Sequence, residues 1–334
     1  MKIIAILSNK YSGSTITDFM LGAHSQILSL TELVAFVANG RTPFACKSCD
    51  PPESCPVWTR ELTSELISIG ARRQVYDAIS RHTGAQILVD SSKLVGAWYA
   101  KTLTGIDRSD VMCVHLAKSP HAYAASEKHK SHHSSLHQID DIADRWWRGN
   151  GQILDFIAAR GYSSVYARYH DVVDHPRAVL SAILRGVGLE YEADIEHFWK
   201  FRQHPLWGNK GARSHFESTD SHPDQWTDES ATQKHLYTES HQTLFRDEKW
   251  RETLTHADVD RLWSHPRVRA MGELLGYAHP FTDAGIALDA KTESWSPRAV
   301  SGTPAAHAEA AARHADVRNH ALVMKVRRRL RSML

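Results

Sequence analysis

Six residues near the N-terminus, Lys10-Tyr11-Ser12-Gly13-Ser14-Thr15, stand between an apolar run (Ile3 to Leu7) and a helix-like segment (Ile16 to Leu21). A strand, a tight turn of small residues and a helix start bring free backbone N–H groups and the positive end of a helix dipole to one point. Gly13 lets a ligand come close to that backbone. The natural guest is an anion, a phosphate above all. The stretch is not a Walker A loop, because Ser14 stands where that loop needs its lysine. An ordinary strand-to-helix turn capped by Ser and Thr side chains remains the alternative.

Two further positions carry chemistry of the same kind, each directly after an apolar run. Asp90-Ser91-Ser92-Lys93 follows Gln86–Val89, and Lys118-Ser119-Pro120 follows Val111–Leu116, with Ser126 eight positions beyond Lys118. A helix starting at Pro120 puts the Ser126 hydroxyl two turns along, beside the Lys118 ammonium, so that both face a second anion. Two anion sites on one ligand indicate a bisphosphorylated nucleotide. Asp90-Ser91-Ser92 also reads as an N-cap cluster opening a helix whose Lys93 faces water.

Cys46, Cys49 and Cys55 form C-x2-C-x5-C, followed by Pro56 and Trp58. Three cysteines are an incomplete zinc set whose fourth ligand must come from Cys113 or a histidine elsewhere; a disulfide and plain buried thiols are the other readings. His129, His132, His133 and His137 include pairs at i, i+4, a spacing that suits a metal or, equally, a solvated polar loop. Near the end, Lys325, Arg327, Arg328, Arg329 and Arg331 alternate with Leu322, Val326, Leu330 and Met333 at helical spacing. That is a basic amphipathic helix, suited to an anionic membrane surface or to packing on protein.

The elements that must position these residues follow from the alternation of short apolar runs (Ile3–Leu7, Gln86–Val89, Val111–Leu116, Ser164–Ala167) with helical stretches. It predicts a three-layer α/β fold, a mostly parallel central sheet flanked by helices. Helices are expected at about 15–21, 58–82, 93–103, 120–129, 139–160 and 176–187, the last started by Asp174 with Pro176. Such sheets bind ligands at the carboxyl ends of their strands, where the residues above lie. The 334 residues, 42% hydrophobic and 23% charged, support one large core. One domain over 1–280 is expected, with a polar loop region at about 205–250, a linker over 281–304 and the basic helix over 305–334. A net charge of +2 argues against nucleic acid as a partner. With no 18-residue apolar span and no signal-peptide pattern, a cytoplasmic enzyme is expected, with peripheral membrane contact through the basic helix as a further expectation.

Taken in order, these motifs resemble the sulfotransferases that use 3′-phosphoadenosine 5′-phosphosulfate (PAPS), in their bacterial form, over roughly the first 275 residues. Ser12-Gly13-Ser14-Thr15 is similar to the family's 5′-phosphosulfate loop, and Lys118, Ser119, Pro120 and Ser126 to its 3′-phosphate motif. Asp90-Ser91-Ser92-Lys93 matches a segment common in bacterial members. Trp146 with Asn150, Arg168-Tyr169-His170-Asp171 with Pro176, Gly208-Asn209 with Arg213, and Asp247 with Trp250 follow in the usual order. Cys-rich segments also occur at this place in bacterial relatives.

The resemblance implies a P-loop-like sulfotransferase fold and in-line transfer of a sulfuryl group from PAPS to an acceptor hydroxyl or amine, leaving 3′,5′-ADP, with no metal required. Carbohydrates, lipids and small natural products are the acceptor classes. It assigns Lys10, Tyr11, Ser12, Gly13, Ser14, Thr15, Lys118, Ser126, Tyr169, Asn209 and Arg213 to the donor. It makes Glu32 the base, with a histidine of the 129–137 stretch as the alternative, and points Lys10 and Lys93 at the sulfuryl oxygens. Glu32 also suits a plain helix start, Tyr169 a packed aromatic, and Arg213 a solvated charge. The chain departs from the pattern twice. Tyr11 stands where a basic residue is usual, and Lys118 replaces an arginine, keeping the charge without the bidentate fork. Two rival readings are a nucleotide kinase or hydrolase with Asp90 on Mg²⁺, and a nucleotide-binding protein without chemistry.

Overall fold

A computed structural model describes residues 1–37, 46–93, 95–130, 138–206, 243–285 and 294–297. Its centre is a five-stranded parallel sheet: β1 (Lys2–Ser8), β2 (Ile27–Thr31), β3 (Ile87–Asp90), β4 (Val111–Ala117) and β5 (Ser163–Arg168), in the order β2-β3-β1-β4-β5. Four of these strands coincide with the apolar runs. β2 was not expected; its ILSLT alternates polar with apolar residues over only five positions, too little to stand out.

β1 shows why the sheet must be covered on both faces. Ile3, Ala5 and Leu7 point into one core, with helices α3 (Arg60–Ile69) and α4 (Gln74–Thr83), while Ile4 and Ile6 point into the other, with α1 (Ser14–Gly22) and α9 (Pro176–Gly186). All five are fully buried, as a central parallel strand requires. A third cluster joins α6 (Pro120–Lys130) and α7 (Ile139–Arg160) to helices His256–Ser264 and Pro266–Leu274.

The expected helices appear with three corrections. The 58–82 stretch is two helices, split at Gly70, whose φ of 66° is costly for any residue but glycine. The 93–103 stretch is a π-turn, Val95–Tyr99, running into α5 (Ala100–Thr102). Asp174 does not start α9: it ends α8 (Tyr169–Asp174), its carboxylate accepts from Arg246 Nε at 3.0 Å, and the cap of α9 is His175. Between α1 and β2 no long connection intervenes; α2 (Val34–Val37) follows β2 after a short turn. Among the described residues no helix is long and apolar enough to cross a membrane. Most of the 205–250 and 281–304 regions, and the whole basic tail, lie outside the described residues.

Candidate functional site

The strand order lays the loaded positions along one edge of the sheet. The carboxyl ends of β2, β3, β1, β4 and β5 deliver, in that order, Glu32, Lys93, the 9–15 turn, Lys118 and Tyr169. Neighbouring strands are about 4.8 Å apart, so the cations after β3 and β4 flank the central turn with about 10 Å between their strands.

The turn is not closed by a side-chain cap. Gly13 is the N-cap of α1 at φ 83°, ψ 8°, and no side chain caps the helix. The first N–H groups of α1 are therefore left toward the strand edge. Ser12 Oγ and Ser8 Oγ are buried without a hydrogen-bond partner, hydroxyls that a bound oxyanion would satisfy. The space over Gly13 belongs to Tyr169, since a Cβ on Gly13 would lie 2.6 Å from the Tyr169 ring. Gly13 is thus needed for the packing of that ring. Tyr169 is the first residue of α8, and its hydroxyl donates to Phe245 O at 2.8 Å. Tyr11, at φ 63°, packs against the α6–α7 cluster, where burial and then Glu127 push its phenol upward. Lys10 is exposed, so its expected aim at the sulfuryl group is not fixed by the fold.

Lys118 is 3% exposed, its ammonium 2.6 Å from Asp247 Oδ2, 3.3 Å from Ser126 Oγ and 5.2 Å from the centre of the Tyr169 ring. The structure therefore brings Lys118, Ser126 and Tyr169 together as expected, and adds Asp247 as the counter-ion. Burial lowers the Lys118 pKa while Asp247 opposes the shift. Burial raises that of Asp247, but Lys118 and Lys249 outweigh it and bring it below the usual carboxylate range.

Trp146, on α7, holds the two anion motifs in register. Its indole N–H donates to Lys118 O at 2.9 Å, and its carbonyl accepts from Asn9 Nδ2 at 3.0 Å and Asn150 Nδ2 at 2.9 Å. Gly149 is what lets Asn9 approach, because a Cβ there would lie 1.8 Å from Asn9 Oδ1. Neither Asn9 nor Gly149 was read from the sequence as part of the site; two glycines around Asn150 in a long helix were the available signal.

On the other side of the turn, Lys93 Nζ is hydrogen-bonded to Glu32 Oε1, with side-chain exposures of 14% and 23%. Glu32 leaves the end of β2 and Lys93 the end of β3, so strand pairing itself brings acid and amine together. Lys93 does not face water. Its φ of 64° turns it toward Glu32, while Ser92 Oγ accepts from Val34 N at 3.1 Å and ties the loop to α2.

Asp90 is fully buried and serves the frame. Oδ2 accepts from Tyr76 Oη and Trp98 Nε1 at 2.7 Å each, and Oδ1 from Ser92 N at 2.8 Å. With donors on both oxygens and no exposed surface, Asp90 does not present a ligand to Mg²⁺ at this edge, which removes the main support for the kinase reading. Deeper still, Asp18 of α1 is fully buried against Ser29, and burial raises its pKa to about 7. Asn209, Arg213 and His132, His133 and His137 lie outside the described residues.

No family model and no curated protein matches the chain. Among solved structures it is similar to the sulfotransferase domain from the curacin biosynthetic pathway, with a TM-score of 0.49 and 17% identity over 84% of this chain and 99% of that one. It is similar to the sulfotransferase domain from the Synechococcus PCC 7002 olefin synthase, with a TM-score of 0.48 and 17% identity over 83% of this chain and 95% of that one. A third is the sulfotransferase STF1 from Mycobacterium tuberculosis H37Rv, with a TM-score of 0.36 and 15% identity over 59% of this chain and 70% of that one.

Proposed function

We propose that the chain is a PAPS-dependent sulfotransferase that moves a sulfuryl group to a hydroxyl or amine of a small-molecule, glycan or lipid acceptor. The observation that carries the reading is the layout along one sheet edge: an uncapped helix start between a buried Lys118–Ser126 pair on one side and the Lys93–Glu32 pair on the other. That layout offers one anion site for a 3′-phosphate, one for a 5′-phosphosulfate, and an acid and an amine beyond the second.

In the reaction this implies, the acceptor oxygen or nitrogen attacks sulfur in line. The bond from sulfur to the bridging oxygen breaks, and 3′,5′-ADP leaves with that electron pair. Glu32 takes the acceptor proton. Lys93 uses one of its three N–H donors on Glu32 and keeps the others for the sulfuryl oxygens, while the N–H groups of the turn hold the phosphate end. Lys118 and Ser126 anchor the 3′-phosphate, and Tyr169 closes over Gly13. Asn209 and Arg213 remain proposed donor contacts from the motif order, and no metal has a part in the transfer.

The test is radiolabelled PAPS incubated with a broad acceptor panel and read as label in product. Labelled product from the native chain is expected, and Glu32→Gln should lower turnover by about 10²-fold or more while leaving 3′,5′-ADP binding intact. Unchanged turnover removes Glu32 as the base. Binding of PAPS with no product on any acceptor favours a nucleotide-binding protein without chemistry.

A further inference from the structure

The C-x2-C-x5-C segment finds a fourth partner in His204. Its Nδ1 lies 3.3 Å from Cys49 Sγ, 3.5 Å from Cys55 Sγ and 3.8 Å from Cys46 Sγ, and all four atoms lie within 4.8 Å of one another. A tetrahedral Zn²⁺ with bonds of about 2.3 Å to sulfur and about 2.0 Å to nitrogen has edges of about 3.8 Å between sulfurs and about 3.5 Å from sulfur to nitrogen. The three sulfur-to-nitrogen distances match the corresponding edges, and the sulfurs lie within 4.8 Å of one another, close enough to share one ion. One disulfide among three thiols would leave a buried thiol and an imidazole facing it with nothing to hold, and the pairwise spacing fits four ligands around a centre better than two atoms in a bond.

The surroundings are those of a closed structural site. Cys46, Cys49 and Cys55 are 2%, 7% and 3% exposed. Backbone N–H groups of Ser48 and Trp58 point at Cys46 Sγ (3.5 Å) and Cys55 Sγ (3.3 Å), the outer hydrogen bonds that steady thiolates on a metal. The two chain segments are stitched beside the cluster as well, Trp58 Nε1 donating to His204 O at 2.6 Å and Lys47 N to Pro205 O at 2.9 Å. Leu206 and Trp58 share one core with Leu33 and α2, directly after Glu32.

We propose that Cys46, Cys49, Cys55 and His204 bind one structural Zn²⁺ that clasps residues 46–58 to 204–206 and thereby backs the Glu32 side of the site. Thiolate and imidazole ligands select a soft or borderline ion, and four protein ligands leave no open position for catalysis. Binding releases the thiol protons to solvent, so the metal is held more weakly as pH falls.

The experiment uses the full chain purified without chelator, with metal content by mass spectrometry and intact mass under denaturing conditions. One zinc per chain and four free thiols are expected. Cobalt reconstitution should give the intense visible bands and thiolate charge transfer of a tetrahedral site. Cys49→Ser and His204→Ala should lose the metal and melt at lower temperature, and His204→Cys, which restores a fourth ligand, should keep it. Native chain that stays free of zinc after zinc is supplied, a mass lighter by two hydrogens from a disulfide, or a pale six-coordinate cobalt spectrum each overturns the proposal. None of these readouts involves nucleotide, so their failure leaves the sulfotransferase reading standing and the reverse holds too.

Discussion

Lys118 carries two opposing demands: burial works against its charge, and Asp247, 2.6 Å away, offsets part of that effect. An incoming phosphate would share that ammonium with the carboxylate, so Lys118 should matter to the 3′-phosphate and to no other part of the nucleotide. Lys118→Ala is expected to weaken 3′,5′-ADP by on the order of 10- to 100-fold, as lost charge-assisted hydrogen bonds do, and to leave AMP unchanged. Lys118→Arg should retain most of the affinity. Calorimetric titration with both ligands checks this, and an equal loss for both would remove Lys118 from the 3′-phosphate.

A second residue sets a pH signature. The Asp18 carboxyl is raised from 3.8 to about 7 by burial, so the native state holds its proton where the unfolded chain has released it. The stability it lends is complete below pH 4 and fades as pH rises through 7, by about 4 kcal/mol at about 1.4 kcal/mol per unit. His115, lowered by burial to about 4, works in the opposite sense over part of that window, so the informative quantity is a difference between chains. Asp18→Asn should raise the melting temperature relative to the native chain more at pH 8 than at pH 5. An offset independent of pH would contradict the assignment.

At the scale of elements, α7 does more than cover the sheet. Through Trp146 it fixes the spacing between the β1 turn and the β4 loop, and through Gly149 it admits Asn9. Glycine inside a helix costs about 1 kcal/mol against alanine, so Gly149→Ala would be favourable in an unencumbered helix. Here the added methyl meets Asn9 at 1.8 Å, and the substitution should lower the melting temperature and weaken nucleotide binding together. A stabilised variant with native affinity would show that the Asn9 contact is dispensable.

The elements also show what the sequence could and could not disclose. Four strands and α7, whose bounds at 139 and 160 were met, were legible because long apolar periodicity is a local signal. β2 was not, and so Glu32 was singled out by resemblance without the strand end that aims it. The Glu32–Lys93 pair and the Cys–His cluster were hidden for a different reason. They join residues 61 and about 150 positions apart, a relation that strand order and tertiary contact create and that no spacing rule contains.

Across the whole molecule, the sheet is a scaffold that turns five separate stretches of chain into one ordered edge. Apolar residues on both faces of β1 bury Ile3 to Leu7 completely, and polar side chains gather where the strands stop. The rival nucleotide chemistries differ in what they need at that edge: a kinase needs an acidic ligand for Mg²⁺, and Asp90 is enclosed; a PAPS site needs two anion sites, which the proposal places at the uncapped turn and at Lys118 with Ser126. Melting the full chain with each ligand decides between them. In chelator, 3′,5′-ADP at a hundredfold excess over its Kd should stabilise the protein by about 2.7 kcal/mol, seen as a rise in Tm, while ATP with Mg²⁺ should give little or none. A rise with ATP and Mg²⁺ and none with 3′,5′-ADP would contradict the account.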